Sequence, residues 1–208
     1  MTVRLHRGDL PDLSRYTGSV AIDTETMGLH PHRDRLCVVQ LSNGDGSADV
    51  VQIPRDYGKD AGDARNLKAL LGDPKVTKIF HFARFDMAAL TNAFGVMPQP
   101  VYCTKIASRL ARTYTDRHGL KDLVREVLNI DLSKQQQSSD WGSQSLSEAQ
   151  LAYAASDVLH LHALRERLDA MLVREGRQEL AQACFEFLPT RARLDLQGWD
   201  TEDIFAHS

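Results

Sequence analysis

Cysteine is scarce in this 208-residue chain, and the three it has, Cys37, Cys103 and Cys184, are scattered. An odd, dispersed count is poor material for a disulfide framework or a zinc site and fits free thiols in a reducing compartment. Long apolar runs are missing as well. No stretch approaches the roughly 20 residues that a membrane-spanning helix needs. The opening MTVRLHRGDLPDL carries charges throughout and no apolar core, which argues against a secretory signal. These absences lead us to expect a cytoplasmic protein with no membrane partner. An excess of basic charge is lacking too: 25 basic and 28 acidic residues leave a net charge of −3. A protein that coats long nucleic acid is usually basic, so the balance predicts weak binding to long polyanions. Neither a fixed-period repeat nor a low-complexity tract is present.

What is present is an ordinary soluble composition. Aliphatic, aromatic and sulfur residues make up 42% of the chain, enough to bury a core without disulfides or a structural metal. Ser19–Thr24 (SVAIDT) reads as a buried strand ending in polar residues. Arg35–Ser42, the turn Asn43–Gly46 (NGDG) and a strand near Ala48–Ile53 predict an antiparallel meander. Asp63–Leu71 reads as a helix with Pro74 beyond it, Lys78–Phe82 as a short strand, and Asp86–Phe94 as a helix ending near Gly95. After residue 100 the spacing turns helical, over Thr104–Ala111, Leu120–Leu128 and Ser147–Leu172, the last opened by a Ser147/Gln150 capping box. Glu175–Phe187 predicts a further helix, stopped by Pro189. Strands first and helices after predict one α/β domain over residues 1–208 with a mixed central sheet flanked by helices. Residues 190–208 read as a C-terminal tail whose Leu194, Leu196, Trp199, Ile204 and Phe205 call for packing on the domain or on a neighbouring subunit.

Acids recur at three places where a metal enzyme needs them. Asp23 and Glu25 are two apart at the end of a strand, so both side chains point the same way. Asp86 follows a buried strand and opens a helix. Tyr153 and Asp157 are four apart on a helix, hence on one face, among small residues that let the helix approach a sheet. Singly, each has an ordinary explanation: a solvated strand end, a helix N-terminal acid, an amphipathic helix with one tyrosine. Jointly, four carboxylates suit a pair of hard divalent ions such as Mg²⁺ or Mn²⁺. Two such ions would bring the formal net charge from −3 to +1.

In this order the segments resemble the motifs of the DEDD exonucleases, in the tyrosine-containing branch. Gly119–Trp141 (GLKDLVREVLNIDLSKQQQSSDW) and Leu146–Leu161 (LSEAQLAYAASDVLHL) resemble ribonuclease D, and the likeness covers most of residues 19–172. Beyond it there is no room for the helical nucleic-acid-binding domains of full-length ribonuclease D. The compact length, GDLPDL, PHRDRLCVVQLS and the tail resemble the stand-alone branch called nano-RNase C. The resemblance implies a ribonuclease H-like exonuclease fold and metal-dependent 3′→5′ exonuclease activity on short single-stranded RNA, dinucleotides above all. It also implies a homo-octamer. Asp23, Glu25, Asp86 and Asp157 would hold two divalent ions, Tyr153 would orient the attacking water, and Leu29 would wedge against bases at the 3′ end.

One departure stands out. The family often has Asn four residues before the second-motif Asp, where this chain has Phe82 with His81 beside it; His81 is therefore a candidate substrate contact, as is Thr24. For a 5′-phosphate the candidates are Lys134, Gln135, Gln136, Lys105, Arg112 and Tyr114. Two other readings remain open at this point: a broader 3′→5′ exonuclease on longer RNA or DNA, and a catalytically inactive nucleic-acid-binding domain.

Overall fold

The computed structural model describes residues 2–57, 63–132 and 138–207. Six strands form one mixed sheet: β1 (Thr2–Arg7), β2 (Ser19–Thr26), β3 (Leu36–Ser42), β4 (Ser47–Gln52), β5 (Thr77–Phe80) and β6 (Val101–Cys103), in the order β1-β4-β3-β2-β5-β6. The meander β2–β3–β4 is antiparallel, and its tight corner is possible because Gly44 and Gly46 take positive φ. β5 joins β2 in parallel and β6 joins β5 in parallel, which puts their C-terminal ends beside that of β2. Every residue of β3 and β4 is buried, as expected of strands covered on both faces.

Among the described residues there are seven helices: α1 (Arg65–Gly72), α2 (Ala83–Phe94), α3 (Thr104–Ala111), α4 (Leu120–Leu128), α5 (Glu148–Leu159), α6 (Leu161–Arg174) and α7 (Gln178–Leu196). α5 lies on β2, β3 and β4, whereas α6 lies against α3 and β5. One straight helix could not do both. The single helix predicted over Ser147–Leu172 is therefore two, broken at His160. The capping box forms as the sequence implies, with Ser147 and Gln150 each bonding the other's backbone N–H.

Two strands lie outside the local reading, and one further expectation needs correction. β1 escapes sequence reading because it is a charged edge strand, held in parallel register by β4 and by Arg4 on Asp49 at 2.7 Å. β6 is only three residues long, too short for a period. α7 does not stop at Pro189 but continues to Leu196. A mid-helix proline costs about 3 kcal/mol. Here Leu188 and Ala192 are buried on either side of it, and Arg84 grips Asp195 through two bonds of 2.8 and 2.6 Å. The aperiodic tail thus starts at Gln197, not at residue 190.

Candidate active site

The site forms where β2 ends. Asp23 and Glu25 lie on the same side of the strand, before a register irregularity at Glu25/Thr26 ends the regular pairing with β3. Thr24 points the other way and its Oγ1 donates to Asp86 Oδ1 at 2.6 Å. Across the ladder, directly opposite Asp23, Gln40 donates from Nε2 to Asp23 Oδ2 at 2.9 Å. Asp157 arrives from α5, and carboxylate oxygens of Asp23, Glu25 and Asp157 lie within 4.8 Å of one another. Tyr153 lies one turn before Asp157 and packs on Trp141 with ring centroids 6.0 Å apart. Asp86 sits in the first turn of α2, only 3% exposed, beside this trio.

Four acids this close disturb one another. Burial first, then the charges of Asp86, Asp157 and Glu25, holds Asp23 well above the usual carboxylate range. Glu25 is pushed up to about 9 by burial and then by Asp157 and Asp86. Asp86 and Asp157 rise to about 7, again through burial, against lowering hydrogen bonds from Thr24 and Tyr153 respectively. Among the described residues none of the four has an ion-pair partner. Partly buried, mutually repelling and unneutralised oxygen donors fit hard divalent cations. The Tyr153 phenol is raised by burial and then by Asp157, Glu25 and Asp23, so it keeps its proton at neutral pH.

Asp23, Glu25, Tyr153 and Asp157 open into a cavity of about 360 Å³ that His81, Phe82, Lys105 and the start of α4 also line. Burial, then Lys105, lowers His81 to about 3, so it is a neutral hydrogen-bonding group; its Nδ1 is 2.9 Å from Thr104 Oγ1. Phe82 occupies left-handed backbone (φ 69°) and carries the Lys105 ammonium 4.1 Å from its ring centroid. Phe82 and Lys105 also line a larger groove of about 710 Å³ between α3 and α7. No acid is among the described residues lining that groove, so the acid chemistry belongs to the smaller cavity.

Other expected contacts fall elsewhere. Thr24 lines the cavity, but its hydroxyl proton is committed to Asp86. Leu29 is 79% exposed in the turn after β2 and is not among the residues lining the cavity. Tyr114 stands away from the cavity, because the turn after α3 swings its hydroxyl onto Glu126 at 2.9 Å. Arg112 is fully buried and is used structurally, on Glu126, Ser108 and the Arg117 carbonyl. Lys134, Gln135 and Gln136 lie outside the described residues. Gln40 and Trp141 join the site through long-range contacts that local sequence patterns do not mark. A lone glutamine in the apolar run LCVVQLS was the available sign of the first.

A family model described as 3′-5′ exonuclease matches residues 10–173, and the chain belongs to that family. Within it the chain falls in the ribonuclease D-like branch, on the side of nano-RNase C. The structure of Brucella melitensis NrnC bound to pGG is 62% identical over the whole of both chains, with a TM-score of 0.95. Brucella melitensis NrnC with bound Mg²⁺ is 61% identical, also over the whole of both, with a TM-score of 0.93. Ribonuclease D of Acidiphilium cryptum is 39% identical over 158 residues, 76% of this chain but 39% of that protein. The chain therefore spans about two fifths of that relative's length.

Proposed function

We propose that the protein is a metal-dependent 3′→5′ exoribonuclease that hydrolyses short RNA, dinucleotides above all, to nucleoside 5′-monophosphates. The observation that carries this reading is the convergence of Asp23, Glu25 and Asp157 in a small cavity, with Asp86 beside them and Tyr153 one turn away. The four acids would hold two divalent ions, Mg²⁺ or Mn²⁺. When bound, such ions supply positive charge for the attacking and leaving oxygens of an in-line displacement. The rest is the work of the chain. Gln40 fixes the Asp23 carboxylate and Thr24 fixes that of Asp86. Tyr153, protonated, orients the attacking water by hydrogen bonding instead of removing its proton. Lys105 adds a cation to the cavity lining, where it would meet phosphate oxygens.

Substrate length follows from size and charge. A 360 Å³ cavity in a chain of net charge −3 suits a substrate with few phosphates. The relative bound to pGG supports the same reading. We place the enzyme in the cytoplasm as a single domain, working as a homo-oligomer, an octamer by its branch. The exposed Phe187, Trp199, Ile204 and Phe205 supply apolar surface for association. One feature favours a broader exonuclease on longer RNA or DNA: the adjoining groove with Lys105 and Arg109 could continue a strand's path. Competition between a 5′-phosphorylated dinucleotide and a seven-nucleotide strand, with products followed over time, decides between them. Preferential loss of the dinucleotide is expected; equal consumption of both would establish the broader activity, and no turnover of either would leave a binding domain.

A further inference from the structure

A second cationic cavity, about 340 Å³, lies where the ends of β1, β3 and β4 meet the segment before α5. It shares no lining residue with the carboxylate cavity. Arg7, Arg35 and Arg55 converge on it. Among the described residues none of the three forms an ion pair. Each guanidinium instead donates to main-chain carbonyls. Arg7 reaches Gln144 O at 3.1 Å. Arg35 reaches Leu36 O and Ile53 O, both at 3.2 Å. Arg55 reaches Gly142 O through Nη2 at 2.9 Å and Nε at 3.3 Å, and Arg35 Nη2 shares that acceptor at 3.4 Å.

Carbonyl dipoles do not cancel three full charges, and each guanidinium has five N–H donors, more than it spends here. The acids at hand are Asp56, which lines the cavity and is exposed, and Asp140, whose Oδ1 accepts from Gly142 N at 3.0 Å. Neither pairs with these arginines. Forked donors carrying three positive charges match a tetrahedral oxyanion better than a single carboxylate. Among the described residues no aromatic ring lines the cavity, so these offer no platform for a base. We infer that this cavity is a binding site for a phosphate group, brought by a free mononucleotide or by the backbone of an RNA strand. The site is coupled to the chemistry through one loop. The Gly142 carbonyl that Arg35 and Arg55 hold belongs to the segment carrying Trp141, and Trp141 packs on Tyr153. A phosphate competing for those guanidiniums shifts the loop that supports the tyrosine.

The test uses the full chain and inorganic phosphate as the probe. The chain has two tryptophans, so Trp199→Phe leaves Trp141 as the only indole reporter. Fluorescence and ³¹P line width are followed against phosphate at constant ionic strength, with Mg²⁺ and again after EDTA. A saturable response with the same midpoint in both conditions is expected. Arg7→Gln and Arg55→Gln, both at exposed positions and both keeping a donor for the loop carbonyls, should each weaken binding by about tenfold, the size of one charge-assisted contact. A nucleoside monophosphate and a single-stranded oligomer used as competitors identify the source: displacement by either supports the site, and the stronger competitor names its ligand. A response lost with EDTA would put phosphate on the carboxylate-bound metal and overturn the proposal. So would no saturable response, a response that both arginine variants retain, or a fluorescence change that follows protein concentration alone, which would mean that a second copy fills the cavity.

Discussion

Asp23 is the residue on which the site turns. It accepts from Gln40, faces two other carboxylates and is half-buried with them, so without a cation it is held well above the usual carboxylate range. Asp23→Ala or Asp157→Ala should abolish metal-dependent hydrolysis while the fold persists, because their loss relieves repulsion. Near-normal turnover of either variant in saturating Mn²⁺ would refute the metal assignment. Tyr153→Phe keeps the ring that packs on Trp141 and removes only the hydroxyl. It should slow single turnover by about 10- to 1,000-fold, the range of a positioned catalytic group. An unchanged rate would make Tyr153 a packing residue. Gln40→Leu removes the donor that orients Asp23 and should lower Mg²⁺ affinity by about 10- to 100-fold in a calorimetric titration. Unaltered affinity would reduce Gln40 to a core residue.

Between elements, the contact with most at stake joins the start of α2 to the end of α7. Asp195 is buried, is held by both arms of Arg84, and lies 3.0 Å from Arg191. Those bonds keep α7 helical beyond Pro189 and steady the helix that delivers Asp86. Asp195→Ala strands two guanidiniums, both partly exposed, so water recovers part of the loss. We expect a cost of about 2 kcal/mol, measured by urea unfolding. A change below about 0.5 kcal/mol, the usual level of an exposed pair, would mean that apolar packing alone carries the helix past its proline.

For the whole molecule, the acids make stability depend on pH in a definite direction. A carboxyl whose pKa is raised by folding contributes stability that is fully present below its unfolded value. That stability is lost as pH rises through the folded value. For Glu25 the window runs from the ordinary 4.5 to about 9. His81 and Lys78, lowered by burial to about 3 and about 8, act in the opposite sense, so the clean quantity is a difference. The melting temperature of metal-free Glu25→Gln minus that of the parent should grow as pH rises from about 5 to about 9. A difference that stays flat would mean that Glu25 is not charged against its neighbours. The apolar surface at Phe187, Trp199, Ile204 and Phe205 should hold copies together at micromolar concentration in light scattering. A monomer there would refute the assembly.

Most of the elements, and the placing of Asp23, Glu25, Asp86 and Asp157 on them, can be read locally, because strand alternation, helical spacing and turn glycines are local properties. α3 and α4 have the limits their apolar spacing implied, and the pairing of Asp23 with Glu25 needed only the two-residue repeat of a strand. What depended on partners far along the chain was not legible. β1 exists because β4 pairs with it, the helix break at His160 because α5 and α6 face different neighbours, and α7 beyond Pro189 because Arg84 waits for Asp195. The same holds at the site. Gln40 faces Asp23 only through the β2–β3 register, and Tyr114 is drawn off by Glu126. Long-range pairing energies select among local options that are close in free energy, and a single sequence read in windows does not contain them.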